Sequence, residues 1–376
     1  MKRLALLLAF AATFGTSPAA QTPAARGART LDIYIADTEG GKAALFVSPT
    51  GQTVLVDSGN PGPRDGDRIA AMLADAGVTK IDYLISTHYH VDHIGGLQEL
   101  SQRIPIANYL DHGPTVEARE QVQGFQAAYE QLYGAAKHAI VKPGDRVPVT
   151  GLDWRIVTAA GQALKAPLTG GGRANPACAE FQKRDDPSTP DDNASSVGSV
   201  ITFGQFRVVD LADLLWNKEG ELMCPSNPIG TVDLYMVSHH GLAQSGSAAL
   251  VHAVHPRVAI MQNGTRKGGA VAAMEVLETS PGLEDIWQLH WGYNAGIEHN
   301  SPGVFIANVD DAATIANVLT SPPPAGRGGG GAGGGRGAGN AAAAHTPAYY
   351  IKVSAQRDGT FTVTNMRNKF SKTYKK

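Results

Sequence analysis

The stretch "STHYHVDHIGG", residues 86–96, holds three of the chain's 12 histidines and an aspartate between positions 88 and 93. Imidazole and carboxylate groups are ligands for zinc and similar divalent ions. At the end of an apolar strand their polar atoms cannot be satisfied by a hydrocarbon core, so a polar partner or a metal must hold them. The spacing H-x-H-x-D-H puts His88 and His90 on one side and lets Asp92 and His93 turn toward a neighbouring position, which builds two adjacent metal sites. A divalent ion held there lowers the pKa of water toward ~7 and polarises an electrophile's oxygen, so the chemistry is metal-assisted hydrolysis.

The elements that must position these groups follow from the surrounding pattern. "KIDYLIST" is a hydrophobic strand that delivers the histidines at its C-terminal end, and Gly95-Gly96 leads into a helix. Upstream, three short β runs over 31–37, 43–48 and 53–57 are separated by Gly-rich and Pro-Thr-Gly turns, and "DRIAAMLADAGV" has helical spacing. "IANYLDHG" is a further strand, followed by a helix expected over 116–136. "LDWRIVTAAG" and "SVITFGQFRVVDLAD" add strands around a loop-like segment at 161–193, after which strands and helices alternate to about residue 291. Paired strands followed by strand–helix alternation imply a layered α/β protein.

Four motifs in order over residues 31 to about 265 give the chain a resemblance to the metallo-β-lactamase superfamily: "TVLVDSG", "STHYHVDHIGG", "FRVVDLADL" and "MVSHHGLAQSGS". The resemblance implies a four-layered αββα sandwich with the metal site at the sheet edge. It implies that Asp57 supports the metal loop and that Asp213, with Asp210 as the alternative, is the bridging carboxylate. His239 or His240 would close the second site, and Asp92 would bind metal there and align the nucleophile. Within the superfamily the likeness is to the competence-protein branch, through "ADTEGGKAAL", "DNASSV", "LAD" and "HHGLAQS". One departure stands out: "PDDNASSVGSV" has no histidine to complete the first site, leaving His88 and His90 to be completed by water, Asn193 or His112. The implied cofactor is one or two zinc ions, with Mn2+ or Fe2+ as alternatives. The implied substrate is a phosphoester or phosphodiester, with a β-lactam, a lactone or another ester as alternatives and a non-catalytic metal-binding module as the contrasting class.

His112, at a strand end, is read evenly as functional or structural. His290 and His299 are expected in supporting or surface roles; Trp216, Asn217, Lys218, Glu219 and Lys267 are candidates for the pocket rim, and Trp154 and Trp291 for core or rim.

The basic start Met1-Lys2-Arg3, the apolar run Leu4–Phe14 and "SPAAQ" read as a signal peptide over residues 1–20, hence a periplasmic or secreted protein with no membrane span after cleavage. Export makes Cys178 and Cys224 disulfide candidates. With 32 basic and 34 acidic side chains and no basic stripe, no stable nucleic-acid partner is expected. The hydrolase domain is expected over 29–320, a flexible Gly/Ala/Pro-rich insert over 321–346, and a β-hairpin around Asp358-Gly359 in 347–376 that packs on the main domain and ends in a solvated basic tail, "NKFSKTYKK".

Overall fold

The computed structural model describes residues 30–134, 136–308, 316 and 347–376; the expected signal peptide over 1–20 and the insert over 321–346 lie outside the described residues. Short apolar runs such as Thr53–Val56 and Val258–Met261 are buried on every residue, the pattern of strands covered on both faces.

Two nine-stranded sheets result. The first runs, in spatial order, Ser371–Tyr374, Phe361–Asn365, Ile351–Ala355, Leu31–Ile35, Ala44–Val47, Thr53–Val56, Tyr83–Ile85, Asn108–Asp111 and Lys137–Ile140. Its last four strands are mutually parallel, with Val56 opposite Ile85 and Ile85 opposite Leu110. The second runs Ile306–Asn308, Asp285–His290, Val258–Met261, Leu234–Met236, Phe206–Asp210, Gly198–Phe203, Asp153–Ala159 and Arg146–Val147, with Gln162–Ala163 paired beside Asp153–Ala159. From Phe206–Asp210 through Ile306–Asn308 its strands are parallel.

Alternating side chains assign the layers. Ile33, Phe46 and Val54 of the first sheet meet Ile156, Ile201, Val208 and Ile260 of the second in a shared core. The opposite face of the first sheet, with Leu45, Leu55 and Leu84, packs on Ile69, Met72 and Leu73 of helix Pro63–Asp75, on Leu97 and Leu100 of Leu97–Ser101, and on Val122 and Tyr129 of Glu120–Leu132. The outer face of the second, with Val209, Tyr235 and Ala259, packs on helices Trp216–Met223, Ala248–Val254 and Val271–Glu278. This is the expected four-layered αββα order.

Some local expectations are corrected. The helix expected over 116–136 is Glu120–Leu132, because Thr115 Oγ1 and the Val116 amide donate to Asp192 and hold that stretch as loop. The basic end of the chain is no solvated tail: Ser371–Tyr374 pairs with Phe361–Asn365, and Tyr374 is buried against Phe361 with its ring at 4.8 Å. Tyr374 Oη accepts from Trp287 Nε1 at 3.0 Å and donates to Asp285 at 2.6 Å, which ties the last strand of one sheet to the other. The segment 161–193 is mostly loop, and Cys178 within it is disulfide-bonded to Cys224.

Candidate metal centre

The chemistry-bearing residues leave the carboxyl ends of the parallel strands, the rim where open α/β sheets bind ligands. Asp57 follows Thr53–Val56, His88 to His93 follow Tyr83–Ile85, Asp213 follows Phe206–Asp210, His239 and His240 follow Leu234–Met236, and Lys267 lies beyond Val258–Met261. Several turns here are strained. Asp57, Ala212, His239 and His240 all have positive φ, of 62°, 50°, 52° and 56°, each costing about 1–3 kcal/mol in sites where the surrounding structure imposes it. Two glycines admit the close approaches: a Cβ on Gly96 would lie 2.2 Å from the Ser58 carbonyl oxygen, and one on Gly268 1.9 Å from that of His240.

Asp92, His93, Asp213 and His240 bring one ligand atom each to within 4.8 Å of one another. His93 Nε2 lies 3.3 Å from His240 Nε2, and Asp213 Oδ2 lies 3.2 and 3.3 Å from those two nitrogens. Asp92 Oδ2 completes the group at 3.4 Å from His93 Nε2 and 3.2 Å from His240 Nε2. The outer nitrogens are held from behind. His93 Nδ1 meets Asp57 Oδ2 at 2.8 Å, and His240 Nδ1 meets the Gln262 carbonyl oxygen at 3.0 Å. Both partners are acceptors, so each Nδ1 carries a proton and each Nε2 turns inward. Asp57 is itself fixed by the Thr87 amide at 2.8 Å and Thr87 Oγ1 at 2.7 Å.

Two carboxylates facing one another among buried imidazoles need positive charge beside them. Burial opposes ionisation of Asp92, but Lys267 and His93 outweigh it and hold the carboxyl well below its usual range. Asp213 is held low against the same burial by His240, His93 and His239. Conversely, burial resists charging of His93, while Asp213, Asp92 and Asp57 drive its pKa well above the ordinary value. Lys267 Nζ makes a close ion pair with Asp92 Oδ2. Lys267 and a charged His93 supply positive charge to the cluster, and its imidazole and carboxylate groups, with oriented outer nitrogens, fit a divalent metal ion.

Of the two late histidines, His240 joins this group. His239 lies beside it, with Nε2 3.5 Å from Asp213 Oδ2 and Nδ1 3.2 Å from Ser245 Oγ. Burial lowers its pKa to about 4. Asp210, the alternative to Asp213, instead pairs with Lys42 Nζ at 2.8 Å, both side chains 4% exposed.

His88 and His90 do not share a ligand group. His90, Glu117 and Asp191 form a second set whose ligand atoms lie within 4.8 Å of one another, and Glu117 and Asp191 were not singled out by the sequence. Burial raises the Glu117 carboxyl, but hydrogen bonds from His90, Arg119 and the Asp192 amide bring it down to about 2. His88 sits between the sets, its ring 4.0 Å from that of His93 and 4.6 Å from that of His90. Its Nε2 is buried without a hydrogen-bond partner among the described residues, and burial followed by the neighbouring imidazoles lowers its pKa far below the ordinary value.

His112 and Asn193 join neither set. His112 Nε2 lies 3.2 Å from Asp192 Oδ2, and Asn193 Oδ1 is buried without a partner among the described residues. His290 is buried with Nε2 2.6 Å from Asp37 Oδ1, and His299 pairs with Glu278 at 3.1 Å on the surface. Glu219 is no rim residue: it is buried and accepts from the Gly246 and Ser247 amides at 2.7 Å each. Trp216 stacks under the Arg184 guanidinium, 3.4 Å from its ring centre, while Asn217 binds Arg184 and Asp186 and Lys218 pairs with Glu221. Trp154 is core, and Trp291 is buried with Ile306.

The sequence profile of the Metallo-beta-lactamase superfamily matches residues 37–174. A hydroxyacylglutathione hydrolase of Stenotrophomonas maltophilia is 33% identical over 104 residues, 27% of this chain; the match spans 37% of that relative's length. Among solved structures, a metal-dependent hydrolase of the beta-lactamase superfamily superposes with a TM-score of 0.40 at 14% identity, covering 70% of this chain and 97% of that one. A metallo-beta-lactamase variant from Cronobacter sakazakii gives a TM-score of 0.35 at 12% identity over 55% of this chain and 76% of that one.

Proposed function

We propose that this chain, whose αββα layers carry the metallo-beta-lactamase superfamily fold, is a metal-dependent hydrolase acting on a phosphoester or phosphodiester, the reading suggested by its competence-type motifs. The observation that carries the hydrolase reading is the convergence of Asp92, His93, Asp213 and His240 within 4.8 Å. These four would hold a divalent ion, zinc or else Mn2+ or Fe2+, which supplies Lewis acidity and lowers the pKa of water. Asp57 and the Gln262 carbonyl keep the two imidazoles turned inward, Asp213 reaches both of them, and Asp92 aligns the attacking water. Two cations favour an anionic substrate: Lys267 at Asp92 and the half-exposed Arg119, whose Nη2 lies 2.8 Å from His90 Nε2. Cleavage of a basic N-terminal leader would deliver the protein to the periplasm or medium, where the Cys178–Cys224 bridge is at home.

Asp213→Asn is expected to lower turnover of bis-p-nitrophenyl phosphate by more than ~100-fold, the scale of losing one charge-stabilising group, in protein that still unfolds in a single cooperative transition. A variant that turns over normally sinks the assignment. A second reading, hydrolysis of a hydroxyacyl ester or thioester, is favoured by the 33% identity to the hydroxyacylglutathione hydrolase. Turnover of S-lactoylglutathione with no turnover of phosphodiesters decides for it, and loss of both activities with no bound metal decides for a non-catalytic module.

A further inference from the structure

We infer that His90, Glu117 and Asp191 form a second cation site, completed by carboxylates from two loops and suited to a divalent ion such as Mn2+, Fe2+ or Zn2+. The inference rests on the metal-hydrolase reading above. It starts from the departure noted in the sequence, the absence of a histidine around "PDDNASSVGSV" to join His88 and His90. The fold brings carboxylates there instead. Glu117 Oε1 lies 2.6 Å and Asp191 Oδ1 3.9 Å from His90 Nε2, with side chains 1% and 7% exposed.

Neither carboxylate is placed by chance contacts. Glu117 Oε1 accepts from the Asp192 amide at 2.8 Å, and Asp191 Oδ1 accepts from the Asn193 amide at 2.9 Å. The loop before Glu120–Leu132 and the loop before Gly198–Phe203 are therefore locked together where they face His90.

Two further observations point to a ligand. The first is His88. Thr87 Oγ1 donates its one proton to Asp57, so it accepts from His88 Nδ1 at 3.2 Å, and His88 Nε2 is left as a bare lone pair. That nitrogen is fully buried and has no donor among the described residues, in a ring that sits between His90 and His93. Asn193 Oδ1, two residues from Asp191, is a second buried acceptor without a donor among the described residues. Native structures leave few such atoms unmatched, and these two belong to the neighbours of His90 and Asp191 in ring contact and in sequence.

The second observation is a conflict around His90. Its Nε2 touches Glu117 Oε1 at 2.6 Å and Arg119 Nη2 at 2.8 Å. A protonated Nε2 suits Glu117 and repels the guanidinium; a bare Nε2 accepts from Arg119 and repels the carboxylate. Arg119, whose side chain is 44% exposed, also pairs with Glu117. It supplies positive charge from the solvent side, as a displaceable substitute for an ion. With Arg119 swung outward, one imidazole and two carboxylates face a common point. Sets of this kind take manganese and iron as well as zinc.

The test is metal stoichiometry by plasma mass spectrometry on the full chain, together with Mn2+ titration followed by electron paramagnetic resonance. Wild-type protein reconstituted with Mn2+ is expected to hold two ions. Glu117→Gln and Asp191→Asn are expected to hold one, with affinity for the second ion weakened by more than ~10-fold, since residues that merely support a ligand already cost that much. The retained ion shows that these variants are folded. Arg119→Ala removes no ligand and is expected to tighten the second ion by about 5-fold or more, the effect of deleting a nearby like charge. Two ions in both carboxylate variants, or no tightening in Arg119→Ala, overturns the inference. One ion in the wild type, lost in Asp213→Asn and kept in Glu117→Gln, also overturns it while leaving the hydrolase reading intact; no ion in the wild type fails both.

Discussion

Asp57 touches no substrate-facing group, yet it decides where His93 points. Its Oδ2 meets His93 Nδ1 at 2.8 Å while Thr87 donates to both of its oxygens from amide and hydroxyl. Asp57→Asn replaces one acceptor oxygen with a donor NH2, so one contact becomes donor against donor. Metal affinity is expected to fall by about 10–100-fold, the usual cost of losing an oriented partner behind a ligand, and a competition titration against a chromophoric chelator measures it. Unchanged affinity would mean that the strained turn alone orients His93. At this scale the sequence was legible where ligands are near in the chain: "HYHVDH" and "SHHG" announce themselves by type and spacing. Glu117 and Asp191 were missed because each lies in an irregular loop with no ligand spacing around it, Asp191 being one of four aspartates over residues 185–192, and they meet His90 only through tertiary contact. Separate ligand sets for His88 and His90 could not be read either, since alternation along a strand says nothing about which neighbour each side chain faces. Lys267 was visible only as a rim cation, and its contact with Asp92 depends on the turn after Val258–Met261.

Between the elements, a buried ion pair fastens the two halves of the rim. Lys42 Nζ reaches Asp210 at 2.8 Å, while the Lys42 amide donates to the Asp92 carbonyl and the Lys42 carbonyl accepts from Gly59. One residue thereby links the first sheet, the metal loop and the strand that leads to Asp213. Lys42→Met strands the Asp210 carboxylate in a buried position and is expected to cost about 3–5 kcal/mol, read as a shift in the urea midpoint. Lys42→Met with Asp210→Asn should recover part of that loss, and a purely additive double mutant would deny the pairing. Glu219 of helix Trp216–Met223 gives the second test. Burial raises its pKa from 4.5 to about 7 despite the amide hydrogen bonds it accepts. The folded chain therefore holds this proton more tightly than the unfolded one, so the contribution to stability is complete below pH 4.5 and is lost as pH rises toward 7. Glu219→Gln is expected to flatten the decline in unfolding midpoint over that window; an identical pH profile for variant and wild type would refute it. Strand and helix order were legible here because apolar periodicity reports burial. The final strand was not, since the Lys and Ser positions of "SKTY" hide a single inward tyrosine.

Across the whole molecule, the candidate metal centre exists only where the two sheets meet. The first contributes Asp57, Asp92 and His93, the second Asp213 and His240, and the apolar core between the sheets sets their separation. Metal binding is therefore coupled to the packing of one half on the other, and a bound ion should raise the unfolding midpoint in a concentration-dependent way. Among the described residues no helix is long and apolar enough to cross a membrane, and the near balance of 32 basic and 34 acidic side chains leaves recognition to local groups such as Lys267 and Arg119. The first measurement is metal content of protein purified without chelators, paired with phosphodiester turnover before and after chelation and re-addition of Zn2+ or Mn2+. The expected result is tightly held metal, activity that disappears with it and returns on re-addition, and in Asp213→Asn loss of that activity together with the ion held by Asp92, His93 and His240. Protein that takes up no divalent ion under any of these conditions and shows no turnover would contradict it.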